Sequence, residues 1–248
     1  MTIALETINL EKKFGGLKVT SDLSLKIEAG ARHALIGPNG AGKTTVINLL
    51  TGVLTPDSGR ILLEGQDIGS LPVHKRVLRG LSRTFQINQL YADLTPLETI
   101  GLAASEHLGH GGDWWRRMGT RPDVNDEIAE NLSRFHLLDV MNEPTATLPY
   151  GKQRLLEIAV ALATKPRVLL LDEPSLGLAP KVIAELFAVL DTLRGEGLTV
   201  VLVDQMAALA LALCDRAYVI EGGRIVAQGS AAEIAADGAL ARAYLGAT

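Results

Sequence analysis

The sequence holds one cysteine, few aromatic residues and no long apolar run, and each shortage removes a class of protein. Cys214, in "LALALCDRAYV", has no partner for an internal disulfide, and no metal-type Cys/His spacing surrounds it. It reads as a small buried hydrophobe. The five histidines, His33, His74, His107, His110 and His136, likewise show no metal-site spacing. Aromatics make up 4% of 248 residues, which leaves the core to Val, Leu, Ile and Ala. No window reaches the roughly 18 uninterrupted apolar residues of a membrane span. The opening "MTIALETINLEKKFGG" carries Glu6 and Glu11 and lacks the apolar centre of a signal peptide, so a cytoplasmic chain, soluble when alone, is expected. A net charge of −4 argues against wholesale nucleic-acid binding. With 47% hydrophobic and 21% charged residues, extensive disorder is excluded.

What is present is an alternation. Strand patterns open the chain in "IALETINL", "LSLKIEAG", "ARHALIG" and "RILLEGQDI". From about residue 88 to 147 the pattern is mostly helical. Then follow helix "KQRLLEIAVALA", strand "RVLLLDE", helix "PKVIAELFAVLDTLR", strand "LTVVLVD" and helix "MAALALALCD". The hairpin "RAYVIEGGRIVAQG" turns at Gly222-Gly223, and two short helical pieces, "AAEIAADG" and "ALARAYLG", close the chain. Apolar strands alternating with helices predict an α/β fold with a mostly parallel sheet, and the strand-rich start predicts an added antiparallel β layer. Ligands in such folds bind beyond the carboxyl ends of the strands.

Two motifs lie at such ends. "GPNGAGKTT" comprises Gly37, Pro38, Asn39, Gly40, Ala41, Gly42, Lys43, Thr44 and Thr45, and satisfies G-x-x-x-x-G-K-[ST] between a strand and an apolar helix. Its glycines permit a tight loop whose N–H groups converge on phosphate oxygens, backed by a helix N-terminus. Lys43 supplies a point charge to the β- and γ-phosphates, and the Thr44 hydroxyl can ligate Mg²⁺. A purely structural glycine turn does not need the Lys and the Thr. In "VLLLDEP" a central strand ends in Asp172, placed to hold Mg²⁺, and Glu173, placed to activate water. The plain alternative is an acidic helix start before "SLGLAPKV". The strand "TVVLVDQM" ends by delivering Asp204 and Gln205, a pair unsuited to a core.

Through nearly its whole length the chain resembles the ATP-binding subunit of ABC transporters. The resemblance implies a P-loop NTPase core with its antiparallel layer at about 1–87 and 148–229. It adds a helical subdomain at about 88–165 and a C-terminal helical tail at 230–248. It implies that Phe14 in "EKKFGG" stacks on adenine, that Gln86 in "RTFQ" reaches toward Mg²⁺ and the attacking water, and that "LPYGKQ" stands for the signature motif. In this family one subunit's signature closes over the ATP held by the other, so Tyr150, Gly151, Lys152 and Gln153 would face a partner's nucleotide. The sequence departs from the family here. The usual Leu-Ser-Gly-Gly-Gln is replaced by Leu148, Pro149, Tyr150, Gly151 and Lys152, which removes the signature serine. Gly151 and a helix N-terminus still offer N–H groups, and Lys152 adds charge. Tyr150 either contributes a hydroxyl or packs. The loop "SLGL", residues 175–178, lacks its common final Asp. Gln205 stands where most of the family has a switch histidine. An amide offers two donors and one acceptor and cannot titrate. Gln205 is therefore expected to sense the γ-phosphate, with a plain loop glutamine as the alternative.

Within the family, "RTFQ", "YG", "SLGLAP" and "ARAYLG" resemble the branched-chain amino acid import subfamily. The implied protein is a Mg²⁺-dependent ATPase on the cytoplasmic face of the inner membrane. It would work with transmembrane permease subunits, a second ATP-binding subunit (a copy of itself or a paralogue) and, indirectly, a periplasmic solute-binding protein, and with no nucleic acid. ATP closes the dimer and hydrolysis opens it. Two rivals stand beside this reading. One is a hydrolysis-impaired regulatory clamp or silent half of a heterodimer. The other is a soluble relative acting on ribosomes or DNA, which would have tandem cassettes or long inserts that this chain lacks. In "DWWRRMGTR", Trp114 and Trp115 with Arg116 and Arg117 either meet lipid headgroups or a membrane partner, or pack on the helical subdomain.

Overall fold

A computed structural model describes residues 2–84, 90–111 and 121–237. The chain divides into two compact units, one formed by residues 1–83, 167–174 and 194–248, the other by 84–166 and 175–193. The helical unit thus takes in 175–193 in addition to the stretch expected from sequence.

The first unit is built on two sheets. An antiparallel sheet has the order β2-β1-β4-β5, with β1 at Ile3–Phe14, β2 at Leu17–Glu28, β4 at Ser58–Leu63 and β5 at Gln66–Asp67. A six-stranded sheet has the order β10-β9-β3-β8-β7-β6, formed from β3 at Arg32–Ile36, β6 at Leu81–Arg83, β7 at Val168–Asp172, β8 at Thr199–Asp204, β9 at Arg216–Glu221 and β10 at Arg224–Ser230. All its neighbours run parallel except the β9–β10 hairpin. The fold is a mixed α/β one of the P-loop NTPase kind.

The strand signals follow burial. Both faces of β7 and β8 are covered, and every residue from Val168 to Asp172 and from Thr199 to Asp204 is buried, which is why these strands read as unbroken apolar runs rather than alternating ones. Helix α1, Lys43–Thr51, sends Val46, Ile47, Leu49 and Leu50 into one core cluster. They meet Leu5, Leu23 and Ile27 of the antiparallel sheet and Leu35, Val168, Val201 and Ile220 of the parallel one. At 25 cal/mol per Å² of buried apolar surface, each such side chain contributes roughly 1.5–3 kcal/mol.

The β1–β2 hairpin is longer than its alternation indicated. Phe14 pairs with Leu17 across the Gly15-Gly16 turn. Two of its four register shifts fall where Asn9 and Asp22 take positive φ, 49° and 55°. Both residue types tolerate the left-handed region, and each extra residue bends the ribbon. Helix α2, Val73–Leu78, exists chiefly around Arg76, whose side chain is buried. Its guanidinium donates to the carbonyls of Leu49, Leu50, Gly69 and Leu71, so it caps the C-terminal end of α1.

His33 of β3 and Cys214, just ahead of β9, are both buried titratable groups. His33 accepts a hydrogen bond at Nε2 from the Glu28 N–H and stacks on Tyr218, while its Nδ1 has no partner. Burial pushes its pKa down to about 4. Cys214 follows helix α7, Ala207–Leu213; burial pushes its thiol up to about 12, the behaviour of an inert core residue.

The second unit is helical: α3 at Pro96–His107, α4 at Pro122–Arg134, α5 at Tyr150–Ala163 and most of α6 at Pro180–Gly195. Thr95 and Glu98 form a reciprocal cap at the start of α3, with Pro96 in the first turn. Helix α4 buries Val124, Ile128, Asn131 and Leu132, a stripe at helical spacing. Arg154 and Glu157 form a buried ion pair at 2.6 Å in α5. In the first unit, α8 spans Ala231–Ala236; the expected last helical piece lies outside the described residues, as does the Trp114-Trp115 loop.

Candidate active site

Parallel register gathers the polar residues. Ile36, the last residue of β3, lies opposite Asp204, and Asp172, the last of β7, lies opposite Val203. The segments that leave β3, β8 and β7 therefore emerge at one edge, with β8 in the middle. They are the glycine loop, Gln205 and Glu173.

The loop at 37–42 closes tightly for local reasons. A Cβ on Gly37 would lie 2.1 Å from the Ile220 carbonyl oxygen, so only glycine passes β9 there. Gly40 and Gly42 have φ of 78° and 104°, conformations that a side chain would strain. Gly42 caps α1, whose first-turn N–H groups have no acceptors inside the helix. The Gly223 N–H bonds the Ala41 carbonyl, and the Ser21 N–H bonds the Gly223 carbonyl, so the β9–β10 turn stitches the loop to β2. Phe14 stands half-exposed at the end of β1, with the Lys12 ammonium 5.7 Å from its ring centre.

The Lys43 ammonium donates to the carbonyls of Gly37 and Pro38, at 2.5 and 3.0 Å. Burial lowers its pKa, while Glu173, Asp172 and Asp204 oppose that by stabilising the cation. All three carboxylates are buried. Asp172 is also 3.3 Å from Arg83, whose other arm reaches Asn48 of α1 at 2.7 Å. Glu173 takes a positive φ of 46°, and its N–H bonds Val203 at 2.7 Å. A non-glycine residue in that region stores strain, and such strain concentrates at functional sites. Gln205 reaches across from β8: its Nε2 donates to Glu173 Oε1 at 2.5 Å.

The arrangement suits a polyphosphate with its cation. The loop offers N–H groups and one ammonium. Among the described residues no cluster of three His, Cys, Asp or Glu forms a closed cation cage. Mg²⁺ ordinarily takes one or two protein oxygens and completes its shell with phosphate and water, so Thr44 and Asp172 are a fitting protein share.

Of the expected site residues, Lys43, Asp172, Glu173 and Gln205 come together. Gln86 lies outside the described residues. The signature residues belong to the helical unit, at the start of α5. There the Tyr150 hydroxyl donates to the Leu176 carbonyl at 3.2 Å, and its ring lies 3.1 Å from where Gly177 would carry a Cβ. Lys152 bonds the His136 carbonyl and pairs with Asp139, and Gln153 donates to the carbonyls of Thr145 and Leu148. Asp204 and Arg83 were given no role by sequence. Asp204 was visible as an acid at the tip of an apolar strand; Arg83 had no signal beyond standing before Thr84.

A glycine loop between a strand and a helix, with carboxylates on the neighbouring strand ends, defines a P-loop nucleotide-binding protein. The ABC transporter family model matches residues 20–176, and the chain belongs to that family as an ATP-binding subunit and ATPase. It is 38% identical to the high-affinity branched-chain amino acid transport ATP-binding protein BraF of Pseudomonas aeruginosa, over 98% of this chain and 97% of that one. It is 34% identical to the lipopolysaccharide export system ATP-binding protein LptB of Escherichia coli, over 96% and 95%. Among solved structures it resembles the ADP conformation of MJ1267, an ATP-binding cassette of an ABC transporter, with 28% identity over the full length of both chains and a TM-score of 0.84.

Proposed function

We propose that the chain drives import of branched-chain or related amino acids, hydrolysing Mg²⁺-ATP at the site around Lys43. The observation that carries the ATPase chemistry is Lys43 set among loop carbonyls and faced by Asp172, Glu173 and Asp204. Lys43 exchanges the Gly37 and Pro38 carbonyls for β- and γ-phosphate oxygens. The N–H groups of 39–45 hold the phosphates, Phe14 stacks on the base, and Thr44 and Asp172 take the cation. Mg²⁺ supplies charge neutralisation at the transferring phosphoryl group. Glu173 accepts the proton of the attacking water. Gln205 holds that carboxylate and, with nucleotide bound, senses the γ-phosphate. A carboxylate so placed has no use in a silent clamp.

The amino-acid cargo rests on the BraF likeness, and the LptB likeness makes direction of transport the point to test. Pairing of two copies or of two paralogues, assembly with permease subunits, and residence at the cytoplasmic face follow from the same reading. Among the described residues no helix is long and apolar enough to cross a membrane. The test is Mg²⁺-dependent ATP hydrolysis against protein concentration, with Glu173→Gln beside it. Activity per subunit should rise with concentration and fall at least 100-fold, on the order expected for a lost general base, in the variant. Wild-type turnover in Glu173→Gln would remove the base role. Uptake of labelled branched-chain amino acids by vesicles holding the full complex decides cargo and direction together.

A further inference from the structure

Beyond its charge facing Lys43, Asp204 was given no role above, yet it is buried at the last position of β8, between the glycine-loop strand and the Asp172 strand. Its Oδ1 accepts the Met206 N–H at 2.8 Å, and the Ala207 N–H in turn bonds the Gln205 carbonyl at 2.9 Å. These two bonds close the short connection from β8 to α7 and fix the backbone on either side of Gln205. Gln205 itself is exposed, and a free glutamine side chain there would sample many rotamers. Its amide nevertheless stands 2.5 Å from Glu173 Oε1. The neighbouring strand contributes from the other side: the Glu173 N–H bonds the Val203 carbonyl, one residue before Asp204. Both partners of the Gln205–Glu173 bond are therefore referenced to the last turn of β8.

We infer that Asp204 is a positioning residue: its carboxylate pins the Gln205-Met206 turn so that the Gln205 amide holds Glu173 in the orientation used to activate water. The inference rests on the reading of Glu173 as the base. In this role Asp204 acts through Gln205. Its negative charge beside Lys43 is a separate property, and the two are separable because an amide retains the acceptor and loses the charge.

The experiment is a double-mutant cycle in Mg²⁺-ATP hydrolysis by the full chain, with kcat and KM measured for Asp204→Ala, Gln205→Ala and the pair, and Asp204→Asn alongside. Asp204→Ala should lower kcat roughly 10- to 100-fold with KM for ATP little changed, the signature of a displaced catalytic group. Asp204→Asn, which keeps the side-chain oxygen for the Met206 N–H, should restore most of that loss. In the Gln205→Ala background, removing Asp204 should cost nothing more, since residues acting as one unit are non-additive. Additive losses would overturn the inference, as would a silent Gln205→Ala. An Asp204→Asn as impaired as the alanine variant would overturn it in favour of the charge. Should Asp204→Ala fail to fold, Asp204→Leu, which keeps the branched side-chain shape without an acceptor, replaces it in the cycle. A Glu173→Gln chain that still turns over defeats the base reading itself, whatever the cycle gives.

Discussion

At the scale of single residues, two buried cations grip backbone carbonyls: Lys43 those of the glycine loop, and Arg76 those at the end of α1. Lys43, Asp172 and Glu173 were legible because a cation after a glycine loop and an acid pair after an apolar strand are poor core material. Arg76 was not legible, because nothing in "LPVHKRVLRG" separates it from the solvated Arg79; only the fold shows four carbonyls converging on it. Replacing it with Met should cost ~3–5 kcal/mol in urea unfolding, since buried carbonyls lose a charged donor, and Lys should restore only part because it lacks the forked geometry. Gly37→Ala places a Cβ against a backbone oxygen that cannot swing aside, so titration with a fluorescent nucleotide should show binding weakened more than about tenfold, the scale of a loop displaced from its ligand. His33 makes a pH prediction. Its folded pKa, about 4, lies below the ordinary 6.5, so the folded chain refuses a proton that the unfolded chain accepts. Its contribution is fully present above pH 6.5 and is lost as pH falls toward 4, by ~3 kcal/mol in total. His33→Gln, which cannot titrate, should show a correspondingly shallower decline in the urea midpoint over that range.

Among elements, the long and strongly patterned ones were readable and the short ones were not. Strands β7 and β8 declared themselves through runs of Val and Leu, and α5 and α6 through apolar periodicity. Strand β6 has three residues and α2 six, too few for either period to register. The β1–β2 ribbon was read short because its bulges at Asn9 and Asp22 break the alternation. Small elements still carry structural weight. From β6, Arg83 ties Asp172 of β7 to Asn48 of α1, and both members of the ion pair are nearly buried. Arg83→Met should destabilise the chain by ~3 kcal/mol, the usual scale for breaking a buried pair from one side, measured by denaturant unfolding without nucleotide. In the helical unit, the Tyr150 hydroxyl donates to the Leu176 carbonyl of the 175–178 turn. Pro149 stands in the place of the signature serine, and Tyr150 beside it braces the 175–178 loop.

For the whole molecule, the class of fold was written in the order of elements, apolar strands alternating with helices. The helical unit draws on two stretches, 84–166 and 175–193, and nothing in the apolar pattern of α6 assigns it to one unit or the other. Among the described residues no helix is long and apolar enough to cross a membrane, and the proposed assembly with permease subunits can be tested directly. The purified chain should stay in the supernatant when mixed with liposomes and move to the membrane fraction when co-expressed with its permease subunits. Recovery from bare liposomes would instead point to direct lipid contact. One modest feature bears on all these experiments. With its thiol pushed to about 12, Cys214 exposes only about one part in 10⁵ as thiolate at neutral pH, so alkylating dyes will pass it by. The native chain is already a dark background for labelling: a cysteine introduced at well-exposed Lys181 would carry the only fluorophore, and energy transfer between donor- and acceptor-labelled copies would report the meeting of two subunits in real time.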